Sequence, residues 1–215
     1  VLIAQYLRHF LFSGFLLLNV VTGVTLNAQE SETPIPFDPP IAAASAEGRQ
    51  AIAGFTAPGF EIELVAEEPL LANSVAFYID YAGSIYVAET FRHFHGVGDM
   101  RNYKSWLVDD LASRTVEDRL VAMKKNLGTD FPRWSEAHDR VRKLWDSDGD
   151  GVADKATVFA DGFKDTLAGI GAGVLVDRGQ VYYTCIPELW RLTDTDGDGA
   201  GSYTHRTLPT TGGEG

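Results

Sequence analysis

Apolar and polar residues alternate along much of this chain in short runs broken by Asp and Gly, the pattern of antiparallel hairpins. Residues 74–87 and 173–183 each read as a strand, a glycine-containing turn and a second strand, rich in Val, Ile, Tyr and Phe. Ala156-Thr-Val-Phe-Ala-Asp-Gly-Phe163 resembles Glu63-Leu-Val-Ala-Glu67, and each reads as a strand ahead of one of those hairpins. One region departs from the two-residue period. Val116, Leu120, Met123 and Leu127 recur at helical spacing after Thr115, whose hydroxyl can cap a helix. Glu117 and Asp118 sit at the positive end of that helix, and Lys124, Lys125 and Gly128 close it.

A near-duplicate orders these pieces. Leu144-Trp-Asp-Ser-Asp-Gly-Asp-Gly151 returns 48 residues later as Leu192-Thr-Asp-Thr-Asp-Gly-Asp-Gly199. Self-similarity at that period is the mark of a propeller blade. Each unit then reads strand, strand, Gly turn, strand, strand, Asp-rich loop. In the second unit Tyr183 precedes Asp194 by 11 residues, while in the first its counterpart Val87 precedes Asp146 by 59. The difference of 48 predicts a helix-bearing insertion over about residues 91–139. It leaves the end of a strand, where rigid scaffolds carry sites, or else it covers one end of the sheets. The predicted fold is mainly β: a partial β-propeller of about two blades plus the start of a third at residues 205–209. Because propellers close with about 4–8 blades, and an open arc leaves bare sheet edges, the chain is expected to be a fragment truncated at its C-terminus. An initial Val rather than Met agrees with a start inside a longer reading frame.

The ends differ in character. Arg8 and His9 precede an apolar run over residues 10–24, and residues 25–28 offer a cleavage site, so residues 1–28 read as an export signal or a retained membrane anchor. Residues 29–57, rich in Pro, Ala, Ser and Glu, read as a flexible linker. Residues 58–215 are the folded part. The expected location is exported, periplasmic or extracellular. With 18 basic and 30 acidic residues the net charge is −12, which argues against nucleic acid as a partner. The single cysteine, Cys185, reads as a buried apolar thiol, and the chain has no Cys-x-x-Cys-His for attaching haem c.

Two groups of residues carry candidate chemistry. Asp146, Asp148 and Asp150 fill positions 1, 3 and 5 of a calcium loop, with Gly151 at the turn, the Val152 carbonyl at 7 and Asp154 at 9. Thr157 at position 12 replaces the bidentate Glu of an EF-hand, and no amphipathic helices flank the loop. A β-connecting calcium loop fits better. The second copy offers Asp194, Asp196 and Asp198, then Ser202 and His205, a weaker set. An Asx-rich turn without metal is the competing reading for both. The other group is Glu89, Arg92, His93 and His95 at the mouth of the insertion, a candidate general base with anion or quinone contacts, or ordinary surface polarity. Arg101, Asp109 and Asp110 are weaker candidates, and Trp106, Trp134, Trp145 and Trp190 are expected to pack between blades.

Taken together, Gly59-Phe-Glu-Ile-Glu-Leu-Val-Ala66, Ile85-Tyr-Val-Ala-Glu-Thr90, Asp109-Asp-Leu-Ala-Ser-Arg-Thr-Val-Glu-Asp-Arg119 and the first Asp loop with Lys155-Ala-Thr-Val-Phe-Ala-Asp-Gly162 resemble one family. It comprises large secreted proteins of planctomycetes and relatives, described as membrane-bound dehydrogenases with a PVC-type haem-binding C-terminal domain. The resemblance spans roughly residues 58–215. It implies a six-bladed propeller similar to soluble quinoprotein glucose and sorbosone dehydrogenases, then helical repeats and a cytochrome c domain. It implies oxidation of a sugar or alcohol through pyrroloquinoline quinone, with electrons passed to a haem c outside this chain. The alternatives are a non-catalytic, calcium-stabilised propeller that binds glycans or partner proteins, and a purely structural calcium-dependent spacer.

Overall fold

The computed structural model describes residues 45–197 and 199–207, the last six as a backbone strand only. The expected signal or anchor at 1–28, most of the expected linker, Asp198 and residues 208–215 lie outside the described residues.

Among the described residues eight strands form two four-stranded antiparallel sheets, each a simple meander. The first comprises β1 (Ser74–Ile79), β2 (Ile85–Glu89), β3 (Asp139–Trp145) and β4 (Lys155–Phe163). The second comprises β5 (Gly171–Asp177), β6 (Gln180–Cys185), β7 (Glu188–Thr193) and β8 (Ser202–Thr207). Both hairpins predicted by alternation are present as β1–β2 and β5–β6. Their register confirms the repeat, since Val87 opposes Phe77 just as Tyr183 opposes Val174.

The unit boundary differs from expectation. Ala156–Phe163 does not open the second unit; it pairs with β3 and completes the first sheet. Each acidic loop therefore joins the third and fourth strands of one sheet rather than one sheet to the next. For the same reason the strand expected to begin a third blade is β8, paired with β7 from Thr193–Ser202 to Glu188–Thr207. Residues 63–67, expected as a strand, lie in no strand and run beside the first acidic loop. Part of the expected linker is ordered too: Ala46–Ile52 forms α1, capped by the Ser45 hydroxyl, which also donates to Glu67 at 3.1 Å.

The core lies between the sheets, with β1 and β2 set against β5. Tyr86, Ala88, Val141, Phe159 and Phe163 of the first sheet meet Val176, Val181, Tyr183 and Leu192 of the second. Burying each large apolar side chain contributes about 1.5–3 kcal/mol relative to exposure. Phe163 locks the seam, its ring 4.6 Å from Tyr183 and 5.3 Å from Trp190. A smaller cluster covers the opposite face of the first sheet, where Leu70 and Leu71 lie on Val87 and Leu144.

The insertion leaves β2 at Glu89 and returns at Asp139. It holds α2 (Leu107–Ala112) and α3 (Val116–Leu127) among short 3₁₀ turns. The helix expected from Thr115 is α3 to the residue. Thr115 and Asp118 form a reciprocal capping box, and Gly128 ends the helix at φ 56°. Lys125 and Asn126 of α3 each donate to the Asp109 carboxylate of α2 at 2.8 Å. Thr115→Ala removes the acceptor for the Asp118 N–H and is expected to cost about 1 kcal/mol. Hydrogen exchange over residues 116–127 checks this, with faster exchange confined to α3.

Candidate functional site

The first acidic loop is built from its glycines. Gly149 and Gly151 take φ of 82° and 90°, values that L side chains resist, and so fold the backbone back over Asp146. One Asp146 oxygen then accepts from Gly149 N–H at 2.7 Å and the other from Gly151 N–H at 2.8 Å. These two amides, Gly151 before Gly149, hold the Asp146 carboxyl below its ordinary range. The second loop repeats the pattern. Gly197 and Gly199 have φ of 79° and 86°, and donate to the two oxygens of Asp194 at 2.7 and 3.0 Å.

In the first loop an oxygen from each of Asp146, Asp148 and Asp150 lies within 4.8 Å of the others, at the surface. Two ligands of one calcium ion, each about 2.4 Å from it, stand at most about 4.8 Å apart. The three carboxylates are thus close enough together that they could hold a hard divalent cation. Asp154, expected at position 9, is engaged elsewhere: it accepts from Ser147 N at 2.8 Å and Ser147 Oγ at 2.6 Å. Val152 spends its N–H on Asp150 at 2.8 Å. Of the second set, Asp194 and Asp196 are described and Asp198 is not.

The cluster at the mouth of the insertion divides into two buried centres and a solvent-facing pair. Glu89 is fully buried; it accepts from Ala72 N–H at 2.8 Å and Arg142 Nε at 2.9 Å, and from Arg140 Nε. Phe91 lies across Arg140, its ring 4.6 Å from the guanidinium carbon. Arg92 is equally buried but belongs to another centre. Its guanidinium donates to the carbonyls of Asp165 at 2.7 Å, Gly169 at 2.9 Å and Ala168 at 3.3 Å, all on the connection between the sheets. His93 and His95 face solvent, with His93 stacked on Phe94 at 3.9 Å. The four residues are thus not assembled around one point.

Sequence reasoning missed the residue that organises this region. Asp139, fully buried, accepts on Oδ1 from Thr90 Oγ1 and Phe91 N at 2.8 Å and from Arg92 N at 3.1 Å. Its Oδ2 accepts from Gly171 N of β5 at 2.9 Å. One carboxylate therefore ties β3, the start of the insertion and the second sheet together. The available signal was Asp139-Arg-Val-Arg142, three charges at the head of a strand-like run that ends in Leu144 and Trp145. Next to this centre, burial first and the Asp139 charge second raise the Tyr183 phenol, and the same causes push the Cys185 thiol up to about 11. The expected buried thiol is found: Cys185 is enclosed and donates to the Gly169 carbonyl at 3.4 Å.

Of the four tryptophans, Trp190 alone packs against the core between the sheets. Trp106 and Trp134 instead group with Tyr103 inside the insertion, with ring centroids 4.4 to 5.9 Å apart. Arg101 pairs with Asp99 at the surface at 2.6 Å. Among the described residues no helix is long and apolar enough to cross a membrane.

Fold and site together define a β-rich domain of two meander sheets, each closed by an acidic turn of one geometry. The chain belongs to the family described as Domain of unknown function (DUF7133), which matches residues 49–211. No curated protein and no solved structure matches it.

Proposed function

We propose that this chain supplies two calcium-fastened blades of a β-propeller, carried by an exported protein of the planctomycete dehydrogenase type that oxidises a sugar or alcohol. The carrying observation is the repeated Asp–Gly hydrogen-bond geometry, which in the first copy brings three carboxylate oxygens within 4.8 Å. Asp146, Asp148 and Asp150 are the residues that would hold the ion. Bound calcium would offset two of three adjacent negative charges and clamp the β3–β4 connection.

The described residues do not offer a comparable fit to pyrroloquinoline quinone. Glu89 and Arg92 are enclosed by protein partners, and His93 and His95 lie apart from them at the surface. No chemical step is therefore assigned to this segment; its part in the protein is scaffold. Haem c belongs to a domain outside these residues.

The calcium claim has a direct test. At calcium a hundredfold above its dissociation constant, a loop binding only the folded state adds about 2.7 kcal/mol. Asp146→Ala with Asp148→Ala is expected to lower the melting temperature more in calcium than in chelator, where only the loop's own hydrogen bonds are lost, as read by scanning calorimetry. Equal loss in both media rejects the metal. The oxidoreductase claim is tested with the full-length protein, quinone, calcium and an artificial acceptor; no dye reduction across sugars and alcohols removes it.

A second reading, a glycan-binding propeller without turnover, is favoured by the partly buried Tyr103, Trp106 and Trp134 group in the insertion, since such rings suit sugar faces. Glycan retention without oxidation selects it.

A further inference from the structure

Two backbone hydrogen bonds and one exposed stripe point to a missing neighbour. Phe159 is the extra residue of a bulge in β4: Val158 and Ala160 pair with Arg142 and Val141, which frees the Phe159 carbonyl. That carbonyl accepts from Gly201 N–H, beside the second acidic loop, at 2.6 Å. Ala153 stands 48 residues before Gly201, at the same place beside the first loop, and its N–H donates to the Val65 carbonyl at 2.8 Å. Each acidic loop thus docks by one equivalent bond on a segment at its flank. For the second loop that segment is the fourth strand of the adjoining sheet. For the first it is residues 61–67, which pair with no strand among the described residues.

The side chains agree. Phe77 opposes Val87 and Ile79 opposes Ile85, as Val174 opposes Tyr183 and Val176 opposes Val181. Phe77 and Ile79 are therefore the first-sheet counterparts of Val174 and Val176. Val174 and Val176 belong to the core between the sheets. Phe77 and Ile79 are 50% and 55% exposed, although Leu70 and Leu71 cover Val87 and Leu144 on the same face.

We propose that residues 61–67 are the fourth strand of a further sheet, whose first three strands are an antiparallel meander that pairs with Leu64 and Ala66 and seats on Phe77 and Ile79. This rests on the propeller reading and names its partner: a three-stranded β-meander with an open third-strand edge and an apolar face. It meets the first sheet as that sheet meets the second. An unpaired edge beside an uncovered apolar stripe is what strand addition uses.

The test is amide exchange of the 215-residue chain, alone and with an excess of a synthetic peptide spanning residues 171–193, the one uninterrupted three-strand meander of the repeat. Exchange over residues 61–67 is expected to slow by about tenfold or more when the peptide is added. Phe77→Glu, at a half-exposed position that tolerates charge, is expected to abolish that slowing while the eight strands stay protected. No slowing at 61–67, or slowing only along β4 or β8, overturns the proposal. A failed propeller reading shows separately, as weak protection of β1 and β5 in the chain without peptide. The same experiment with the remainder of the full-length protein, in cis or added in trans, tells an intramolecular meander from a separate chain.

Discussion

Asp139→Ala is expected to cost the domain more than about 4 kcal/mol, at the far end of what single substitutions do. The reason is the number of groups left behind. Thr90 Oγ1 and the amides of Phe91, Arg92 and Gly171 all lose their acceptor, the first two in a part-buried place and the last two in a buried one. Each buried donor left without a partner costs about 1–3 kcal/mol, reduced where the backbone relaxes or water enters. Arg92 keeps its carbonyl acceptors. Asp139→Asn keeps the shape and one oxygen, so it is expected to lose less than half as much. Urea unfolding followed by tryptophan fluorescence measures both. If Asp139→Ala lost under about 1 kcal/mol, the carboxylate would not be the fastening between the sheets.

The same bonds show why one part of the architecture was legible in the sequence and another was not. Val116 to Leu127 carries its own cap, period and stop, so α3 follows from local chemistry alone. The β1–β2 and β5–β6 hairpins are equally local. Ala156–Phe163 is different. Its apolar residues mark it as a strand but not which neighbour it pairs with, and pairing is decided by the acidic loop that turns it back onto β3. The Asp146, Asp148 and Asp150 cluster was readable because its geometry follows from spacing and glycine. The Ser147 contacts of Asp154 are not legible from spacing, because they depend on how the loop folds back on itself.

Charge caused the larger misreading. Glu89 and Arg92 looked like exposed loop chemistry because charged side chains are seldom fully buried. Both are buried because β3 brings its own charges into the same sheet. Glu89 faces Arg140 across the β2–β3 ladder, and Arg142 lies one step further along the same face. In the second sheet the equivalents of Glu89, Arg140 and Arg142 are Cys185, Glu188 and Trp190. One repeat thus fills these positions with a carboxylate between two guanidinium groups, the other with a thiol, a carboxylate and an indole. The insertion leaves the first sheet beside this cluster, so the difference between the repeats coincides with the element that sets them apart.

Glu89→Ala puts that interpretation at risk. Removing the one carboxylate leaves two guanidinium groups, 0% and 3% exposed, without their anion, and breaking a buried pair in this way costs about 3–5 kcal/mol. The Ala72 N–H loses its acceptor as well, loosening the Leu70–Leu71 cover on the first sheet. If the cluster is structural, converting Glu89, Arg140 and Arg142 together to Leu, Met and Leu recovers most of the loss, because well-packed apolar residues replace buried ion pairs at little cost. A catalytic role for Glu89 predicts something else. Glu89→Gln would then abolish substrate oxidation by the full-length protein while its unfolding midpoint stayed close to that of the parent. Measuring both quantities on the same three variants separates the readings, since stability moves in the first case and turnover alone in the second.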